Sequence, residues 1–247
     1  MKAHNKITTT KLAKFHLLAI IAITLTTNFA FANNSINHNR GSKTIVIEDA
    51  EKKLSMTIDY SQGAKVTKLF VNGESTLSES GIYTGFKTRG GAFYSYKNRG
   101  EIKVDESANK ITLSNIVYGD DAVRANERWI FELANNKINW TINREYNTLA
   151  KLEETAFPQW NFAGLSVWKG GIIDNGGMVW CKYLASQNDT YGVHTGGVTF
   201  WNPESGDALR INAKTGNDKF IAARYSHTDK DEFAFIQIGR ASCRERV

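Results

Sequence analysis

The chain has 247 residues, two cysteines, two prolines and a formal charge of +6. The charge sits at the two ends: taking away +4 for Lys2, Lys6, Lys11 and Lys14, and +2 for the last ten residues, leaves none between them. That balance removes the electrostatic case for a nucleic-acid partner. Cys181 stands alone outside those ten residues, and no Cys/His cluster has ligand spacing, so a disulfide scaffold and a structural zinc site are both excluded.

In chain order, the first element is a leader. The four lysines precede an apolar run, Phe15 to Leu25, and then Ala30-Phe31-Ala32, a small-x-small cleavage pattern. The run is shorter than the ~20 residues that span a bilayer, so residues 1–32 are expected to be a cleaved secretory signal. The protein is then secreted or periplasmic, with no membrane span after cleavage. Residues 33–42 open with the polar stretch NNSINHNR and are expected to form a flexible leader.

From Lys43 to Gln237 helical periodicity is nearly absent. Short alternating runs recur between Gly, Asn and Asp, which predicts an all-β domain, a large antiparallel sandwich. Leu54, Met56 and Ile58 alternate. Val66 to Val71 ends at Asn72-Gly73, a tight-turn dipeptide. Ile82 to Phe86 and Ala92 to Tyr96 flank the loop Lys87 to Gly91. Ile102/Val104 and Ile111/Leu113 flank a second hairpin turn. The clearest unit is Glu127 to Tyr146. Trp129, Phe131 and Leu133 share one face of its first strand, and Ile138, Trp140 and Ile142 one face of its second. Asn135-Asn136 suits the turn between them. Later runs are Met178 to Lys182, Gly197 to Trp201, Ala208 to Ala213, Phe220 to Tyr225 and Phe233 to Gln237. The segment Lys169 to Gly177 is glycine-rich and is expected to be a loop. Many runs are too short, and the loops too loose, for a membrane barrel.

The chain ends IGRASCRERV. The codons ATC GGA AGA GCG TCG TGT AGG GAA AGA GTG encode those residues and resemble a common short-read sequencing adapter. Residues 238–247 are therefore expected to be a non-native tail, and the natural sequence to continue after Gln237.

The segments ERWIFELANNKINWTINREY, AFPQWNF and GMVWCKY resemble the large sandwich of the galactose-mutarotase-like superfamily. The resemblance covers Lys43 to Gln237. In exported bacterial carbohydrate enzymes that domain often precedes a six-hairpin catalytic domain. It implies a supersandwich truncated at its C-terminus, from a glycoside hydrolase whose catalytic domain lies downstream in the same chain. The fragment alone is then inactive. The alternatives are a free-standing carbohydrate-binding protein and a mutarotase-like sugar epimerase.

Glycoside hydrolysis needs two carboxyl groups about 5–5.5 or 6.5–9.5 Å apart. The chain has many acids, but none in a distinguishing setting; Glu154, before Phe157 to Phe162, is a candidate. An epimerase needs a histidine acid, and His194, set among Tyr191 and Trp201, is the candidate there. A polysaccharide or oligosaccharide partner would stack on aromatic rings beside Gly/Asn-rich loops, which selects Trp160, Trp168, Tyr191 and Trp201. Trp129 and Trp140 read as core. Asp174 to Gly177 and Asn188-Asp189 fit no calcium loop, and no metal or other cofactor is expected.

Overall fold

A computed structural model describes residues 35–134, 137–163, 167–174, 177–180, 191–194, 197–212, 221–227 and 233–239. Residues 173, 177–180, 191–194, 221–227 and 233–239 are described by their backbone. The expected signal segment, Cys181, and residues 240–247 of the expected foreign tail lie outside these.

Among the described residues every regular element is a strand, and every pairing is antiparallel. In chain order they are β1 (Ser35–Asn39), β2 (Thr44–Glu48), β3 (Leu54–Asp59), β4 (Lys65–Val71), β5 (Glu74–Ser75), β6 (Leu77–Thr88) and β7 (Gly91–Tyr94). Next come β8 (Lys103–Ser107), β9 (Lys110–Gly119), β10 (Arg124–Ala134), β11 (Lys137–Tyr146) and β12 (Glu154–Phe162). The last are β13 (Gly170–Ile173), β14 (Gly177–Trp180), β15 (Tyr191–His194), β16 (Gly197–Asn202), β17 (Asp207–Asn212), β18 (Ile221–His227) and β19 (Phe233–Gly239).

A wide first sheet has the order β1-β2-β3-β4-β6-β12-β19-β18-β15, with β5 added to β4 and β7 to β6. A second sheet runs β11-β10-β9-β8, and a third β14-β13-β16-β17. The all-β expectation holds, and its clearest unit appears in register: Trp129 pairs with Ile142, Phe131 with Trp140 and Leu133 with Ile138. Burial alternates along β10 because successive side chains point to opposite faces. Val66, Phe86, Trp129, Phe131, Phe162 and Phe200 belong to one buried core to which all three sheets contribute.

Two expectations change. The polar stretch expected to be a leader contains β1, which pairs residue for residue with β2. Composition hides it because its anchors are few: Ile36 packs on the core, and His38 contacts Tyr60 and Glu106. The glycine-rich segment Lys169 to Gly177 contains β13, whose Gly170 and Gly171 pair with Trp201 and Phe200 on one side. Among the described residues β19 lies between β12 and β18. Its last residues, Ile238 and Gly239, pair with Ala222 and Ile221.

No helix among the described residues is long and apolar enough to cross a membrane.

Candidate functional site

The aromatic residues singled out above do not share one surface. Trp160 is 8% exposed and pairs with Ile82 on the inward side of β12. Trp168 is 2% exposed, with its ring 5.9 Å from Phe162 and 6.1 Å from Phe200. Rings covered in this way offer a sugar no face, so these two are corrected to core residues. Their indole N–H groups, like that of Trp140, are buried without a hydrogen-bond partner. Trp201 is partly buried on β16. Tyr191 and His194 lie on β15, paired with Tyr225 and Ala222; their side chains are outside the described set. Glu154 opens β12 opposite Lys87. Asn188-Asp189, which fit no calcium loop, also fall outside the described residues. Asp174 instead receives both guanidinium nitrogens of Arg210, at 2.6 and 2.7 Å.

Among the described residues, one dense polar group is buried. Glu127 on β10 pairs in register with Arg144 on β11. Arg144 Nε donates to Glu127 Oε1 at 2.5 Å, and the two side chains are 1% and 0% exposed. The Tyr118 hydroxyl also donates to Oε1, at 2.8 Å, while Oε2 accepts from Thr84 Oγ1 at 2.5 Å and Trp129 Nε1 at 2.8 Å. The remaining guanidinium donors reach the Gly85 and Ala156 carbonyls, at 3.1 and 3.0 Å. Phe157 covers the cation, its ring centroid 3.8 Å from Arg144 Cζ. Burial works against the charge of Arg144, but the Glu127 carboxylate and the Tyr118 and Tyr146 hydroxyls outweigh it and hold the group cationic. Burial pushes the Tyr118 hydroxyl well above the ordinary tyrosine range. A carboxylate accepts about four hydrogen bonds, and Glu127 already has them. The hub clamps the first sheet to the second, since Thr84, Gly85 and Ala156 belong to one and Tyr118, Glu127 and Arg144 to the other.

The outer face of the first sheet carries a different group. Ser95, fully buried, receives its geometry from both sides. Its N–H donates to Thr84 O at 2.9 Å, its Oγ donates to Ala64 O at 2.7 Å, and it accepts from Thr84 N–H at 3.1 Å. Ser95 is fixed inward, and it is flanked by Tyr94 at the end of β7 and Tyr96 in the turn that follows. Their rings are parallel to within 7° at 5.3 Å. Tyr83 on β6 stands edge-on to both, at 5.3 and 4.9 Å. Gly85 makes room: a Cβ there would lie 2.7 Å from Tyr94 Cδ1 and 2.7 Å from Phe93 O, so the Tyr94 ring occupies the space of the missing side chain. All three tyrosines remain partly exposed.

Polar groups border them. Gln159 pairs with Tyr83, and its Nε2 donates to Asn161 Oδ1 at 2.7 Å. Asn161 is itself fixed by donating to Gly81 O at 2.7 Å. Glu154 lies at the other end, near enough for its charge to add to burial in raising the Tyr94 hydroxyl. Burial, and then Tyr94, raise that of Tyr96. The arrangement is two parallel rings, a third as a wall, an oriented amide and a carboxylate, carried by β6, β7 with the turn after it, and β12.

Glu154 is thus the one sequence candidate that the structure places beside this group, while Tyr83, Tyr94, Tyr96 and Gln159 were not among the candidates. The signal for them was parity. Tyr94 and Tyr96 are two apart in an expected strand, and Gln159 has the parity opposite to Trp160.

No group of three or more His, Cys, Asp or Glu side chains among the described residues is placed to hold a metal ion. No protein-family model matches the chain. No curated protein is significantly similar to it.

Proposed function

We propose that this chain is the β-domain of an exported carbohydrate-active protein, and that it contacts glycan through the tyrosine face of β6, β7 and β12. The observation that carries this reading is the partly exposed parallel pair Tyr94–Tyr96 beside Tyr83. A pyranose presents C–H groups on its ring faces and hydroxyls around its rim. The C–H groups pack against aromatic faces through dispersion and weak hydrogen bonding. The hydroxyls need donors and acceptors at the border, which Gln159 and Glu154 supply. The resemblance to the galactose-mutarotase-like sandwich points to the same ligand class and is part of this proposal, as is export. In this reading Glu154 is a ligand contact, and the domain holds the glycan while another part of the protein cuts it.

The test is calorimetric titration of the purified chain with a panel of neutral oligosaccharides. At least one should bind saturably. The Tyr94→Ala/Tyr96→Ala variant should lose tenfold or more in affinity, about 1.4 kcal/mol, while Trp201→Ala stays within a factor of two. Absence of binding across the panel, or full affinity in the tyrosine variant, overturns the proposal.

A further inference from the structure

The turn between β4 and β5 is Asn72-Gly73, with φ of 50° and 86° at the two residues. Both are exposed, and nothing lies within 4 Å of where a Gly73 side chain would project. The turn is tied down at two places. Its Asn72 N–H donates to Lys53 O at 2.7 Å. Its side-chain Nδ2 donates to Oδ1 of Asp207 on β17, which is 9% exposed. That bond is a polar link from the first sheet to the third.

We propose that Asn72-Gly73 is a deamidation site, and that its conversion opens the link to Asp207. The glycine leaves its own backbone nitrogen unshielded. That nitrogen attacks Cγ of Asn72, the Cγ–Nδ2 bond breaks, and the side-chain nitrogen departs as ammonia carrying the backbone proton. The resulting five-membered imide takes up one water and opens to aspartate or isoaspartate at position 72. No oxidant or reductant enters.

The link to Asp207 controls both rate and consequence. While Nδ2 is held by Asp207 the amide cannot turn freely to present Cγ to the Gly73 nitrogen, so the reaction proceeds through the opened turn. The product replaces a hydrogen-bond donor with a second carboxylate facing Asp207, and two adjacent carboxylates disfavour sharing their charge. The third sheet then loses this attachment to the first.

The experiment ages the full chain in mildly alkaline buffer and follows residue 72 by peptide mapping, with released ammonia as the second readout. Conversion is expected at Asn72 in the native chain and severalfold faster in Asp207→Ala, where the amide is free. Asn72→Asp should lower the melting temperature by several degrees, and Asn72→Asp/Asp207→Asn should recover most of that loss, because a donor again faces a carboxylate. Equal conversion rates in the wild type and Asp207→Ala overturn the inference, as does an Asn72→Asp variant that melts with the wild type.

Discussion

Glu127 and Arg144 face one another across the β10–β11 ladder, and their 2.5 Å ion pair lies where neither side chain reaches solvent. Forming such a pair adds little net stability, because both ions must leave water, but breaking it strands the survivor. Arg144→Met should therefore cost about 3–5 kcal/mol, read by urea denaturation. Glu127→Leu should also destabilise, since it leaves a buried guanidinium without its counter-charge. The double variant Glu127→Leu/Arg144→Met should lose less than the two single changes added together. Additivity would show that the two residues do not act as one unit.

The acid limb of stability should run through Glu106. His38 on β1, an edge of the first sheet, contacts Glu106 on β8, an edge of the second. That hydrogen bond, with the charges of His38 and Arg40, holds the Glu106 carboxyl below the ordinary carboxylate range. A lowered folded value means the stabilisation is complete above the unfolded pKa and disappears as pH falls through the folded one. Melting temperature should drop with acid in the wild type. Glu106→Gln should flatten part of that slope, whereas an unchanged slope would remove Glu106 from the account.

Tyrosine ionisation should be staggered. Burial raises Tyr94, Tyr96 and Tyr60, and Tyr118 far more. An alkaline absorbance titration should show groups ionising later than a free tyrosine, near pH 10. Tyr118 should respond only as the fold opens. Tyr118→Phe should delete that last component and leave the Tyr94 and Tyr96 steps in place.

Gly85 tests the shape of the outer face. In Gly85→Ala the new Cβ would meet the Phe93 carbonyl and the Tyr94 ring, both at 2.7 Å. The carbonyl belongs to the backbone and cannot swing away, so strand β7 must shift. Glycan affinity is expected to fall severalfold, and the Tyr94 absorbance step to move. An alanine variant with unchanged affinity would mean that the seating of Tyr94 on the sheet does not matter for binding.

Parity explains both what the sequence disclosed and what it concealed. Trp129, Phe131 and their partners on β11 were legible because strict alternation has only one apolar side. The same alternation puts Glu127 on the side of Trp129, and Arg144 on that of Ile142, so the buried ion pair was implied by spacing. Its charges pointed the other way, toward a solvated surface. Trp160 looked like a platform because it stands beside a polar, aromatic segment, yet its facing depends on the register of β12 against β6. That register includes an irregularity between Ala156 and Gln159, where Pro158 marks a break in the ladder but does not say how far the pairing shifts. The tyrosine face was hidden for a related reason. Tyr83 and Tyr94 meet only because β6 and β7 pair, and because distant Ala64 fixes Ser95.

The central claim is that the outer face of β6, β7 and β12 receives glycan. Hydrogen–deuterium exchange of the chain, with and without a saturating neutral oligosaccharide, addresses it most directly. The account predicts slower exchange confined to peptides spanning 83–96 and 154–161. Protection confined to peptides around Tyr191 to Trp201, or no protection in the presence of a bound oligosaccharide, would contradict it.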